Sequence, residues 1–174
     1  MATEILGSHE YAERPTVLGI PVLTRTAGAV LQAVAAPIAA QTGTTTIPFV
    51  NTTPVISGGT QIWSGSITPS VVTNTVLVSG SFMFDCGTAA RTLTACIFRG
   101  AVCIGVASMT VTTVGRAVPV TFNIEDAPGV TSAVVYTVRV GLNANGTWYV
   151  NQASTAYWNG LFAGNGVALL EVAG

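Results

Sequence analysis

His9 is the only histidine in the chain and lysine is absent. Three cysteines, six arginines and seven carboxylates complete the side chains suited to proton transfer, nucleophilic attack or metal binding. A serine or cysteine nucleophile needs a histidine base within hydrogen-bond reach. That base could only be His9, which lies in a charged lead far from any glycine-rich elbow and reads as a solvated side chain. Zinc asks for four closely spaced His or Cys ligands. Cys86, Cys96 and Cys103, ten and seven residues apart, match none of the usual spacings. A glycosidase-type carboxylate pair would have to be drawn from Asp85, Glu125, Asp126 and Glu171. Glu125 and Asp126 precede Pro128-Gly129 and read as a solvated turn, Asp85 ends a candidate strand, and Glu171 lies near the end. The same turn offers hard oxygen ligands for calcium, but no EF-hand-like spacing accompanies it. No catalytic residue, cofactor or metal is expected.

Charged residues make up 7% of the chain and apolar ones 49%, where a soluble domain usually carries about a quarter charged residues. So little charge implies that much of the surface is hidden against something else, which suits an assembly protein better than an enzyme. The net charge is −1 and the arginines, at 14, 25, 91, 99, 116 and 139, are scattered; nucleic acid is not an expected partner. The acidic start lacks the basic-then-apolar order of a secretory signal. The most apolar stretch, 27–40, is broken by Gln32 and Pro37, short of the roughly 20 apolar residues that span a membrane.

Two regions must position whatever function remains. Residues 1–42 read as an anchoring arm: Pro15 and Pro21 flank the apolar Val17-Leu-Gly-Ile20, and Val17, Leu18, Ile20 and Val22 are the candidate anchoring contacts. Within it, 29–36 suits either two helical turns, with Val30, Val34 and Ile38 in line, or an extended segment that orders on a partner. Residues 43–174 read as a β domain. Candidate strands fall near 44–50, 60–68, 74–84, 92–98, 101–113, 117–124, 133–142, 147–152 and 166–172, separated by turn signals, which indicates a sandwich or barrel. Hairpins are expected at Asn145-Gly146 and Arg99-Gly100; a two-residue turn at the latter would set Cys96 opposite Cys103 within disulfide range. Free buried thiols are the alternative. Trp148 and Tyr149 alternate across a strand, whereas Tyr157, Trp158 and Asn159 sit in the Asn/Gly-rich loop 151–160, a candidate partner-binding surface.

Several segments in order, Gly43-Thr-Thr-Thr-Ile-Pro48, Gly59-Thr-Gln-Ile-Trp63, Ile67-Thr-Pro-Ser70, Thr94-Ala-Cys-Ile-Phe-Arg-Gly100, Phe122-Asn-Ile-Glu-Asp-Ala-Pro128, Thr131-Ser-Ala-Val-Val-Tyr-Thr-Val-Arg139, Gly146-Thr-Trp-Tyr-Val-Asn151 and Ala168-Leu-Leu-Glu-Val172, resemble the C-terminal β-sandwich domains of tailed-phage fibre and virion decoration proteins. The resemblance implies an all-β, jelly-roll-like antiparallel sandwich, homotrimeric, displayed on a virion assembled in the host cytoplasm and without catalytic residues. Fibre tips usually follow a long shaft, whereas about 42 residues precede the matching part here, which favours a small knob held by its arm. Two functions stay open. One is a capsid decoration protein bound to the major capsid protein or another virion protein. The other is a short tail fibre or receptor-binding tip whose loop 151–160 recognises host-surface glycan.

Overall fold

Val, Ile, Thr and aromatic residues at alternate positions build an almost uninterrupted series of strands, because such side chains suit a pleated, half-buried surface. A computed structural model of the chain describes residues 16–17, 20–21, 26–88, 90–152 and 165–174. Among the described residues there is no helix. The strands are β1 (Thr16–Val17), β2 (Ile20–Pro21), β3 (Val30–Pro37), β4 (Gln41–Gly43), β5 (Thr60–Ile67), β6 (Thr75–Cys86), β7 (Arg91–Arg99), β8 (Val102–Val111), β9 (Val118–Asp126), β10 (Val134–Leu142), β11 (Trp148–Val150) and β12 (Gly166–Val172). β1 and β2 pair only with each other.

The remaining strands form two antiparallel sheets. Sheet II has the order β5-β10-β7-β8. Sheet I is organised by the long β6: β9 runs along one edge, while β12 follows Thr75–Ser81 and β11 follows Phe84–Cys86 on the other. β3 pairs with β12, and β4 with β11. Thus β3/β4 and β11/β12 are two interrupted rows, and sheet I has four rows in the order β3/β4, β11/β12, β6, β9. Counted along the chain, rows one, eight, three and six make sheet I and rows two, seven, four and five make sheet II. That order is the eight-strand jelly roll, a two-sheet sandwich built of two Greek keys.

The inner faces follow the period of two. β6 turns Val76, Val78, Phe82 and Phe84 inward, and β10 turns Val134, Tyr136, Val138, Val140 and Leu142 inward. Three aromatic side chains lie over glycines: Trp148 on Gly43, Trp63 on Gly65 and Phe122 on Gly80. Each ring occupies the place where a Cβ would stand, so the large and small residues are matched across the sheet. A second, smaller core lies on the outer face of sheet II, where Ile47 packs on the fully buried Cys96 and Phe98 beside Ile56 and Cys103.

Four expectations change. Residues 29–36 are neither a helix nor an arm segment, because Val30–Pro37 is a strand fully paired with β12. The four-residue spacing of Val30, Val34 and Ile38 had suggested a helix, but a multiple of four is also a multiple of two and fits a strand equally. The sandwich therefore starts near Val30, ahead of the expected division at residue 42. Residues 44–50 form no strand; only Thr46 bridges, in parallel, to Leu142. Asn145-Gly146 bends the crossover from β10 in sheet II to β11 in sheet I and closes no hairpin.

The β7–β8 turn is shifted by one residue. Gly100-Ala101 forms it, with Arg99 opposite Val102 and Gly100 at φ 54, as a turn with glycine first requires. That register sets Cys103 against Phe98, and a bulge at Ile97/Phe98 then sets Cys96 against Val106. The expected facing pair does not form and all three cysteines are free thiols. Burial, with Cys103 nearby, pushes the Cys96 thiol up from 9.0 to about 12. Because the thiolate is the reactive form, alkylation of native Cys96 at pH 8 should run at least about a thousandfold slower than in urea, a difference that peptide mass spectrometry of timed samples will measure.

Candidate functional site

The residues expected to touch partners fall largely outside the described part. Tyr157, Trp158, Asn159, Leu18 and Val22 lie outside it, and for Val17 and Ile20 only the backbone pairing of β1 with β2 is defined. The start of the candidate loop is structural. Asn151, buried and at φ 52, receives the Met83 N–H on Oδ1 at 2.9 Å and donates from Nδ2 to the Ile38 carbonyl at 2.7 Å. Asparagine tolerates the left-handed region, so it can end β11 and clamp the gap between β3 and β4. Gln152 donates to the Thr42 hydroxyl. Trp148 is core and Tyr149 half-buried.

Charge, scarce to begin with, is used internally. Glu171 is 1% exposed on the inward-facing side of β12. Its Oε1 accepts the Ser70 N–H at 2.6 Å, the Ser70 hydroxyl at 2.7 Å and Asn74 Nδ2 at 2.5 Å, and its Oε2 accepts Gln32 Nε2 at 2.7 Å. Burial alone would raise its pKa, but these hydrogen bonds outweigh burial and hold the carboxyl at about 2. The network ties β3, the β5–β6 connection and β12 together. Asp126, expected in a solvated turn, is 9% exposed. It receives Arg99 Nη1 at 2.9 and 3.1 Å and the hydroxyl of the fully buried Tyr136 at 2.7 Å. Asp85 is buried and its Oδ1 accepts the N–H groups of Cys86 and Gly115. Arg139 donates to the carbonyls of Gly58 and Gly59, and Arg91 to that of Asn145.

Of the four carboxylates among the described residues, only Glu125 is exposed. No group of three or more His, Cys, Asp or Glu among these residues is placed to hold a metal. None of these carboxylates was singled out as structural from the sequence, although one signal was there. In Gly166-Val-Ala-Leu-Leu-Glu-Val172, Glu171 shares its parity with Val167 and Leu169 and so must face inward with them.

Among the described residues, Glu125 and Arg116 are the exposed charged side chains; the rest of the outward surface is neutral. The outer face of sheet I carries a shallow trough of about 630 Å³ lined by small side chains, among them Ala35, Ser79, Ser81, Thr121 and Ala168. The connection between β4 and β5 crosses the end of sheet II and exposes Phe49 (72%), Val50 and Val55 around a cavity of about 200 Å³. It is fixed by Ile47, whose N–H donates to the Leu142 carbonyl at 2.8 Å and whose side chain fills the space left by Gly141. Val106 and Val135 are exposed on the outer face of sheet II, and Val102 is exposed at the start of β8 beside the turn. Large exposed apolar areas on a folded protein mark interaction surfaces.

No family model matches the chain, and no curated protein does. Solved structures do resemble it. A structure of the infectious bursal disease virus Gx strain aligns over 94% of this chain and 38% of its own, at 11% identity and a TM-score of 0.46. T=1 particles derived from the same virus align over 98% of this chain and 40% of theirs, at 13% identity and 0.47. A VP2 subviral particle of that virus aligns over 91% and 45%, at 13% identity and 0.42. The chain spans less than half the length of these structures. The jelly roll itself stands on the strand order: eight rows, two sheets, with every carboxylate but Glu125 among the described residues turned to internal use.

Proposed function

We propose that the chain is a non-catalytic structural protein of a virus particle, a homotrimeric decoration or head-surface knob held to the particle through its N-terminal region. One observation carries the assembly part of this reading. Three of four described carboxylates are consumed in buried networks while Phe49, Val50, Val55, Val102 and Val106 stand exposed. A surface so poor in charge and rich in apolar side chains is stable where other subunits cover it. The virion setting and the trimer come from the ordered segments of 43–174 that resemble phage surface proteins, and a jelly roll is a fold common in capsid and lectin domains. The partners are sister subunits and the major capsid protein or another virion protein.

Deleting residues 1–25 tests the attachment. The deletion stops short of Val30, where the sheet begins, so the truncated protein should keep its fold and its subunit mass. It should lose at least about tenfold in affinity for particles stripped of it, measured by co-sedimentation. Full occupancy by the truncated protein would refute attachment through this region. Loss of adsorption to cells by particles that keep normal heads would favour a receptor-binding tip, with Tyr157, Trp158 and Asn159 as its contacts.

A further inference from the structure

Among the described residues, two rows of each sheet are edges: β3/β4 and β9 in sheet I, β5 and β8 in sheet II. An edge strand offers unpaired N–H and C=O groups to any other chain unless something blunts it. β9 carries Pro119 and the exposed Glu125. β8 is bulged against β7 and lies along β9. β5 is bulged against β10, and Gln41 Nε2 donates to its Ile62 carbonyl at 3.0 Å. β3 carries such devices only at its ends: Leu31 is bulged out between the Gln32–Glu171 and Val30–Val172 pairs, and Pro37 closes the strand. Its eight residues carry no charge, and 32–36 is regular.

The direction of its backbone groups follows from the hydrogen bonds at the ends of β11 and β12. Asn151 N–H donates to the Met83 carbonyl at 2.9 Å, so odd-numbered residues of β6 point toward β11 and β12. Antiparallel alternation then turns the odd residues of β12 toward β3 and the even residues of β3 toward β12. The Ile38 N–H to Asn165 carbonyl bond at 3.4 Å has the same phase. The N–H groups of Ala33 and Ala35 therefore point to the free edge, and Pro37, next in phase, has none to leave unpaired.

We propose that this edge pairs with the β3 edge of a second copy, antiparallel, about a twofold axis at Ala33. In that register Ala33 faces Ala33 and Leu31 faces Ala35. The Ala33 N–H groups of both strands are then used in a hydrogen-bonded pair, and the Ala35 N–H groups point at the facing strand. No charges meet, and the alanines let the strands lie side by side without a steric barrier. The contact is isologous and closes on itself. It rests on the edge alone and not on the functional reading above; in a trimer it would join one trimer to the next.

Ala33→Cys tests the register, because facing residues of a hydrogen-bonded pair lie about 5.5 Å apart, within disulfide reach. Mild oxidation of the folded protein should give covalent dimers in high yield on a non-reducing gel. Thr121→Cys, on the blunted β9 edge, should give none. Ala33→Pro removes only an outward-pointing donor, so it should keep the β circular-dichroism signature and halve the mass seen by light scattering. Should that variant unfold, Ala33→Lys replaces it, since Ala33 is exposed and two lysines would meet at the axis. Failure of Ala33→Cys to cross-link, a mass that neither the proline nor the lysine variant lowers, or occupation of the edge by a different co-purifying protein would each overturn the pairing.

Discussion

Replacing Glu171 with alanine should lower the unfolding free energy by about 3–5 kcal/mol, the range seen when one member of a buried charged network is removed. The carboxylate is 1% exposed and accepts from Gln32, Ser70 and Asn74. Its removal takes four hydrogen bonds from the junction of β3, β12 and the β5–β6 connection, where Gln32 keeps its bond to the Thr68 carbonyl and Asn74 its bond to the Ser70 hydroxyl. Glu171→Gln keeps the shape but presents an amide to donors, and should cost about 2 kcal/mol or more. The pH dependence separates charge from packing. The folded-state pKa is about 2 against an ordinary 4.5, so the folded protein binds the proton less readily than the unfolded one. Its contribution is complete above about pH 5 and is lost as pH falls from 4.5 toward 2. The full difference is about 3 kcal/mol. Urea titrations at pH 7, 4 and 3 should show wild-type stability falling over this window and the glutamine variant falling less. Parallel curves for the two proteins would refute the assignment.

Trp148→Ala should cost a similar 3–5 kcal/mol, because a fully buried indole leaves a large cavity between two paired sheets. Its more informative companion is Gly43→Ala. A Cβ at Gly43 would stand 2.8 Å from Trp148 Cε2 and 2.9 Å from Cη2, so the methyl must displace the ring or the strand, at about 1–3 kcal/mol. In the Trp148→Ala background the obstacle is gone and the methyl partly fills the cavity. The double variant should therefore be more stable than the sum of the single costs by at least about 1 kcal/mol. Additivity in thermal melts would show that the ring does not lie where the structure places it.

Strand positions were readable because the period of two is written in Val, Ile and Thr: eight of the nine candidate strands, from 60–68 to 166–172, are strands. The exception is 44–50. It has β-type composition, yet Pro48 and the turn toward Gly58-Gly59 send it across the end of sheet II, where Ile47 alone takes a core position. Sheet partners were not readable, since a jelly roll pairs rows far apart in the chain and local residues carry no mark of it. The same limit hid the acids. Asp126 looks solvated beside Pro128-Gly129 until Arg99 and Tyr136 are brought to it from two other strands. The one-residue shift of the β7–β8 turn was enough to part Cys96 from Cys103, since it sets Cys103 opposite Phe98. The aromatic loop and the apolar arm contacts rest on sequence alone.

The break between β11 and β12 has a consequence for how the protein can vary. The row is closed on both sides of the gap: Asn151 is bonded to Met83 and Ile38, and β12 resumes at Gly166 opposite Pro37 and Ser81. Neither clamp depends on how many residues join them, and lengthening a closed loop adds only about 0.6 kcal/mol per doubling. A foreign peptide spliced between Gln152 and Asn165 would thus leave the sheet register untouched. The interrupted row makes this face the natural port for grafted sequence, whether introduced by recombination or by hand.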